Sequence, residues 1–405
     1  MNIAFFSDTY EPQKNGVVTA IRMQKKFLEE NGNKVYLFIP YITNSSLGEN
    51  IYPLPSIIFP FQREHRIAKP YSLKYDLLLN KERIELIHTH TPFSLGLFGW
   101  QQAKKRNLPL VHTYHTLFEE YAYYVWDHFP DIVKRILITE KEARSIAIWW
   151  SRTYCNLCDL IIAPSTKVKK ILERQGVKKP IEILPNGLDL REFKPLDKKL
   201  ARSKRGFPEN GELLLFVGRL GKEKNISFLL RVLRWLKSNS VDLYYLIIIG
   251  DNPDKRVMEG LKKEAERLDI SDRVIFTGYL DYPSVIESYY AVDLFVFSSL
   301  TETQGMVILE ALFSGLPVIA LKDDAIGDFV KDGENGFLIP NNNQSVEEFG
   351  KKVILLTENK ELYNLISHNA KKSVENLRLD NLNKKLIEIY NNLISEFRKR
   401  ENKYA

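Results

Sequence analysis

The sequence predicts an α/β protein built from two doubly wound, Rossmann-like domains. Three observations carry this. Short runs of β-branched and aromatic residues alternate with segments of helical period along the chain. The alternation pauses at the proline-bearing stretch REFKPLDKK and restarts after residue 210. With 405 residues, 44% apolar and 27% charged, the chain is long enough for two buried cores and has the balance of a globular protein.

In the first domain, residues 1–194, the runs NIAFFS, KVYLFIP, LIHTH, PLVHTYH and LIIAPS read as strands. Between the first two, IRMQKKFLEENG places Ile21, Phe27 and Leu28 at helical spacing and stops at Gly32. The second domain, residues 195–380, repeats the theme with LLLFVG, the helical ISFLLRVLRWLKS, then DLYYLIIIG, VIFTGY, DLFVFSS and PVIA. Such alternation implies parallel sheets with helices on both faces, and ligands at the carboxyl ends of the strands. The expected site is the cleft between the two domains. Residues 381–405 form a third piece: Leu382, Leu386, Ile389, Leu393 and Phe397 make an apolar stripe on one amphipathic helix, expected to cross back to the first domain.

Other classes are excluded by what is missing. There is no low-complexity tract and no repeat period. The opening MNIAFFSDTY meets an acid at Asp8, unlike a signal peptide, and LYYLIIIG is too short to span a bilayer. The expected location is cytoplasmic. The net charge of +7 is uneven: residues 1–190 hold 25 Lys+Arg against 19 Asp+Glu, whereas the rest hold 33 against 32. A basic first half suits an anionic surface or simply keeps the protein soluble. Cys155 and Cys158 form a lone CxxC ahead of a strand, with no second pair to complete a metal shell, and read as packed thiols.

The chemistry concentrates in SSLTETQGMVILEALFSGLPVIA, residues 298–320. Glu302 and Glu310 flank a glycine beside a helix start, which is either a solvated surface or half of a site for a hydroxyl-rich ligand. The amides of Gln304, Gly305 and Met306 suit a phosphate, and Gly305 has no side chain to hold one away. Glu310 is placed to accept two hydroxyl hydrogen bonds, as from a ribose. In FVGRLGKEKN, Arg219 and Lys224 follow a strand; two cations there can hold a diphosphate and stabilise its charge as it leaves. No paired-aspartate metal motif follows a strand, since Asp323-Asp324 reads as a turn, so departure without metal or other cofactor is expected. In the first domain Asp8 stands at a strand end, Gly16 just before a helix, and His88, His90, His112 and His115 cluster in two strand-end motifs. No serine or cysteine nucleophile with a base beside it is legible.

Taken together, GRLxxEKN at 218–225 and TETQGMVILEALFSGLPVIA resemble the retaining glycosyltransferases of family 4, which have the GT-B fold. The E-x7-E pattern falls on Glu302 and Glu310. SDTYEPQKNGV, YHT at 114–116, APS at 163–165 and PNGLD at 185–189 match too, so the resemblance covers nearly the whole chain. It implies that Arg219 and Lys224 contact the donor diphosphate and Glu310 the ribose. It also implies that Glu302, Thr303, Gln304, Gly305 and Met306 meet the transferred sugar and its β-phosphate. Gly16 would approach the phosphate from the first domain, with Asn15 where a second glycine is usual. His115 would lie beside sugar and acceptor, with Asp8 on the acceptor side, and Tyr279 and Leu280 near the base. His115, Glu302, Arg219 and Lys224 are the expected catalytic set.

TETQG with SDTYEPQKNGVVTAI further resembles the bacterial diacylglycerol glucosyltransferases. The implied reaction moves glucose from UDP-glucose to the free hydroxyl of diacylglycerol with retention. Independently, PFQREHRIAKPYSLKY carries Arg63, Arg66, Lys69 and Lys74 among aromatics, and FPDIVKRILITEKEARSIAIWWSR adds two tryptophans. Both suit an anionic leaflet or a lipid entrance, and the expected enzyme sits peripherally on the inner face of the membrane. No nucleic-acid module is visible. Rival readings are a soluble-sugar, sterol-like or phosphatidylinositol acceptor, with mannose as an alternative sugar to be moved; a nucleotide-sugar epimerase; and a lipid- or sugar-binding protein without activity.

Overall fold

A computed structural model describes residues 1–13, 15–41, 48–58, 66–69, 71–119 and 139–404. The chain forms two compact units, Met1–Gly187 with Leu379–Ala405, and Leu188–Arg378.

The first unit has a seven-stranded sheet in the order β3-β2-β1-β6-β7-β8-β9, every pairing parallel. Its strands are β1 Asn2–Phe6, β2 Lys34–Pro40, β3 Ile51–Leu54, β6 Leu86–Thr89, β7 Leu110–Thr113, β8 Leu160–Ala163 and β9 Ile181–Ile183. A separate antiparallel hairpin pairs β4 Ser56–Ile58 with β5 Arg66–Ala68. The central strands are buried along their whole length, as a parallel sheet covered on both faces requires. Phe6 stacks on Phe38 and meets the edge of Phe98 from the helix Ser94–Arg106, tying sheet to helix layer.

The second unit has a six-stranded parallel sheet, β12-β11-β10-β13-β14-β15. Its strands are β10 Glu212–Val217, β11 Tyr244–Ile249, β12 Val274–Gly278, β13 Leu294–Phe297, β14 Val318–Leu321 and β15 Gly336–Ile339. Phe216, Phe297 and Phe295 stack in series through its centre.

Strands β3, β4, β5, β9 and β15 are absent from the sequence reading. Three of them, β3, β9 and β15, are sheet edges of three or four residues. A run that short shows no period, and β3 even contains Pro53, which an edge strand tolerates.

The last helix, Leu379–Tyr404, belongs to the first unit and packs beside Gly16–Glu30. Its buried face differs from the expected stripe. Leu382 and Leu386 are buried, but farther along Tyr390 and Ile394 take the inner positions, while Ile389, Leu393 and Phe397 are only half-buried. The reason is specific: the Tyr390 hydroxyl reaches Nδ1 of His88 at 2.5 Å, so the helix turns that residue inward.

Candidate active site

In the second unit the chain order reverses between β10 and β13, neighbours at the centre of the sheet. Loops leaving adjacent strands in opposite winding directions part there and open a crevice. The two motifs expected to hold a diphosphate, far apart in sequence, are the loops of these two strands. They are bound to each other: Ser298 Oγ donates to the Lys224 carbonyl at 2.7 Å, and the Leu300 amide donates to the Glu223 carbonyl at 2.9 Å. Lys224 Nζ then meets Glu302 Oε1 at 2.6 Å, with both side chains largely shielded from water. Arg219 is half-exposed and is held at 3.1 Å by Glu223, a buried carboxylate that the sequence reading did not single out. Each cation thus stands beside one acid, an arrangement that fixes its position before any ligand arrives.

The helix Met306–Ser314 follows β13, and its N-cap is Gly305 at φ +79°, left-handed backbone that a side chain would strain. No side chain caps this end, so the first-turn amides lack that partner. Thr303 and Met306 are half-buried and Gln304 is buried beside it.

Glu310 is on the same helix but is not a surface acid. It is 7% exposed, and both oxygens accept tyrosine hydroxyls: Oε2 from Tyr289 at 2.7 Å and Oε1 from Tyr282 at 3.3 Å. Burial pushes its pKa up to about 7, the two hydroxyls counteract this, and the negative charge of Glu192 adds to the rise. Both tyrosines come from the helix Tyr282–Ala291. The sequence reading missed them; the signal was available in ESYYAVDLF, where a tyrosine at a core position needs a partner for its hydroxyl. Tyr279 is exposed just after β12, and Leu280 packs against the core of this unit.

In the first unit the order reverses between β1 and β6. Asp8, at the end of β1, is expected on the acceptor side, but its carboxylate serves its own unit. It accepts from Thr91 Oγ1 at 2.7 Å, Ser94 Oγ at 2.5 Å and the Leu95 amide at 3.0 Å, which holds the start of the helix Ser94–Arg106 against β1. Gly16 opens the helix Gly16–Glu30, where Asn15 Oδ1 accepts from the Val18 amide at 3.0 Å. A Cβ at Gly16 would meet no protein atom within 4 Å, so nothing inside this unit requires a glycine there.

The four histidines converge. His90 Nδ1 lies 3.1 Å from His115 Nε2, the rings of His88 and His90 are 4.2 Å apart, and His88 Nε2 lies 2.7 Å from Thr113 Oγ1. Burial lowers all four: His88 and His90 well below the usual range, His112 to about 3 and His115 to about 4. They are neutral imidazoles at pH 7. His115, half-buried, is the one nearest solvent. Cys155 and Cys158 close the helix Glu140–Leu157, both buried; burial pushes the Cys155 thiol up to about 12, and such thiols are inert.

The first unit also carries exposed apolar side chains. The β4–β5 hairpin exposes Ile57, Ile58 and Ile67, and Tyr71, Leu73 and Leu77 are exposed beyond it, with Lys69 and Lys74 among them and Arg66 half-buried. Arg63 and most of FPDIVKRILITE lie outside the described residues. The hairpin is joined to the β6 loop by the Ala68 amide donating to Ser94 Oγ at 3.1 Å. Next to that serine Phe93 is exposed, and the Trp150 indole donates to the Pro92 carbonyl while Ile146 and Trp149 face solvent on the same helix. No helix among the described residues is long and apolar enough to cross a membrane.

Comparison with known proteins places this geometry in a family. Residues 14–192 match Glycosyltransferase Family 4, and residues 197–373 match Glycosyl transferases group 1. The chain is 34% identical over 346 residues to an alpha-monoglucosyldiacylglycerol synthase of Streptococcus pneumoniae, covering 84% of this chain and 75% of that protein. It is 30% identical over 417 residues to the alpha-monoglucosyldiacylglycerol synthase of Acholeplasma laidlawii, covering both chains completely. The sucrose-phosphate synthase of Thermosynechococcus elongatus has the same fold, with a TM-score of 0.77 at 20% identity over 98% of this chain and 99% of that one. Two parallel Rossmann-like sheets, family models matching both halves of the chain, and relatives at 30% and 34% identity lead to one conclusion: this protein is a glycosyltransferase of family 4 with the GT-B fold.

Proposed function

We propose that the enzyme transfers glucose from UDP-glucose to the free hydroxyl of diacylglycerol with retention of configuration, at an anionic membrane surface. The observation that carries the donor half is the convergence of Arg219, Lys224, Glu302 and the uncapped helix start at Met306 on one switch point. Those groups offer two cations and backbone amides to a diphosphate, a carboxylate to sugar hydroxyls, and Glu310 to a ribose. The acceptor half is supported by the two full-length or nearly full-length relatives named as glucosyldiacylglycerol synthases. It is supported too by the exposed isoleucines and aromatics set among lysines on the first unit.

In this reading the acceptor oxygen bonds to the anomeric carbon on the face the leaving group quits. The bond from that carbon to the β-phosphate oxygen breaks, and the acceptor proton passes to a phosphate oxygen. Negative charge accumulates on the diphosphate, where Arg219, Lys224 and the helix amides would receive it. Such prearranged charge lowers the barrier because it stabilises the transition state more than the bound substrate. His115 and its partner His90, both neutral, would line the sugar and acceptor side without carrying charge. Asp8, on the acceptor side, would hold the β6 loop in place through its bonds to Thr91, Ser94 and Leu95. No residue here needs a metal for this course.

The test is a screen of radiolabelled UDP-sugars and GDP-mannose with diacylglycerol in mixed micelles, with and without chelator. UDP-glucose is expected to give a single lipid product of α configuration. A β-linked product, a product formed only with another acceptor, or donor consumption without acceptor would refute the reading.

A further inference from the structure

The two tyrosines that reach Glu310 lie outside the motifs that carry the family resemblance, and both sit on the helix packed against the one bearing Glu310. An ionised carboxylate offers about four acceptor positions, two on each oxygen. Tyr289 fills one on Oε2 and Tyr282 one on Oε1. One position per oxygen is left, which is what two neighbouring hydroxyls on a ring require. Tyr289 has a second acceptor within reach, the Val307 carbonyl at 3.4 Å, but its single proton goes to the carboxylate at 2.7 Å. Its ring is completely buried, and burial beside Glu310 holds its own proton far above the usual tyrosine range, so it is always a donor.

We propose that Tyr289 and Tyr282 are positioning residues that pin the Glu310 carboxylate in the orientation that receives the two hydroxyls of the donor's ribose. This rests on the donor reading above and adds to it the residues that set donor affinity. A glutamate side chain has three rotatable torsions, and one buried without donors would turn away or take up a proton. A protonated carboxyl gives one of its oxygens to an O–H and loses an acceptor. The tyrosines oppose both outcomes. The charged and titratable groups that act on Glu310 are these two tyrosines and Glu192, and only the tyrosines favour its ionised form. Donor affinity should therefore rise with pH through the range where Glu310 ionises, and depend on the tyrosine hydroxyls in that range.

The experiment is titration calorimetry of the full chain with UDP and 2′-deoxy-UDP from pH 6 to pH 9, with thermal unfolding recorded for every variant. The wild type is expected to bind UDP more tightly as pH rises through about 7 and to prefer it over 2′-deoxy-UDP about tenfold. Tyr289→Phe should weaken UDP by about fivefold at pH 7, the effect of losing one donor to a carboxylate and raising its proton affinity by about one unit. It should move the pH midpoint upward and narrow the preference for the 2′-hydroxyl; Tyr282→Phe should do the same more weakly. The diphosphate's own titration is common to all variants and cancels. A purely structural tyrosine would lower the melting temperature but leave the midpoint and the preference alone. If Tyr289→Phe does not fold, the half-buried Tyr282→Phe carries the same test. The proposal is overturned if both phenylalanine variants keep the wild-type midpoint and preference while Glu310→Gln loses the preference. A wild type that ignores UDP, or a Glu310→Gln variant that binds it normally, would instead overturn the donor reading itself.

Discussion

Glu310 shows how a residue that is costly for the fold can stand where the proposed site calls for it. Its pKa is raised from 4.5 to about 7 chiefly because burial penalises the charge. Between those values the folded chain holds a proton that the unfolded chain releases, so this group's contribution to stability falls as pH rises through the window. The displacement corresponds to a cost on the order of 3 kcal/mol at pH 8. Glu310→Gln removes that charge. We expect the variant to melt above the wild type at pH 8, with the gap closing as pH is lowered to 5.5, while transfer activity is lost at every pH. A gap that does not depend on pH would show that the carboxylate is already ionised throughout this range and that folding does not raise its pKa. Sequence position alone marked Glu310 as a candidate, because its neighbours Ile308, Leu309, Ala311 and Leu312 are apolar. That a buried tyrosine in ESYYAVDLF needs a polar partner was legible; that the partner is Glu310 was not, since hydroxyl contacts between helices leave no spacing pattern.

At the scale of elements, the last helix is the clearest case of local pattern meeting tertiary demand. Helical period and extent were readable, and so was the start of the inner face at Leu382 and Leu386, but its continuation was not. Leu382, Leu386, Tyr390 and Ile394 form the buried line, set by the hydroxyl-to-imidazole bond between Tyr390 and His88. Tyr390→Phe leaves the ring in place and strips His88 Nδ1 of a partner in a completely buried site. A buried polar atom left unpaired costs about 1–3 kcal/mol, so urea unfolding of the variant should show a loss in that range. A loss below about 0.5 kcal/mol would mean that the bond does not hold the helix. The edge strands β3, β9 and β15 tell the converse story: they form because a neighbour offers them a ladder, not because their residues insist on it.

At the scale of the whole molecule, the basic surplus lies in the first 190 residues, and the exposed isoleucines and tryptophan lie in the same unit. Charge brings such a surface to an anionic leaflet and apolar side chains keep it there. The protein should co-sediment with vesicles containing anionic lipid and not with neutral ones, and binding should fall sharply between 0.05 and 0.5 M salt, estimates of about the range over which screening closes in. Ile57→Ser with Ile67→Ser should weaken binding to anionic vesicles severalfold at constant salt and leave the UDP affinity of the second unit unchanged. Equal binding to neutral vesicles, or insensitivity to both serines, would remove this surface from the account.

By itself the sequence determined the two large sheets, their parallel winding, and the loops that carry the family's motifs. Those features follow from local periodicity and from the special backbone needs of glycine at a helix start. Only the tertiary structure decided which groups meet: Lys224 with Glu302, Arg219 with Glu223, Glu310 with two tyrosines, and Asp8 with the β6 loop. The physical reason is that strand order within a sheet brings together residues that are tens of positions apart, and a hydrogen bond depends on that distance in space, which no spacing along the chain encodes.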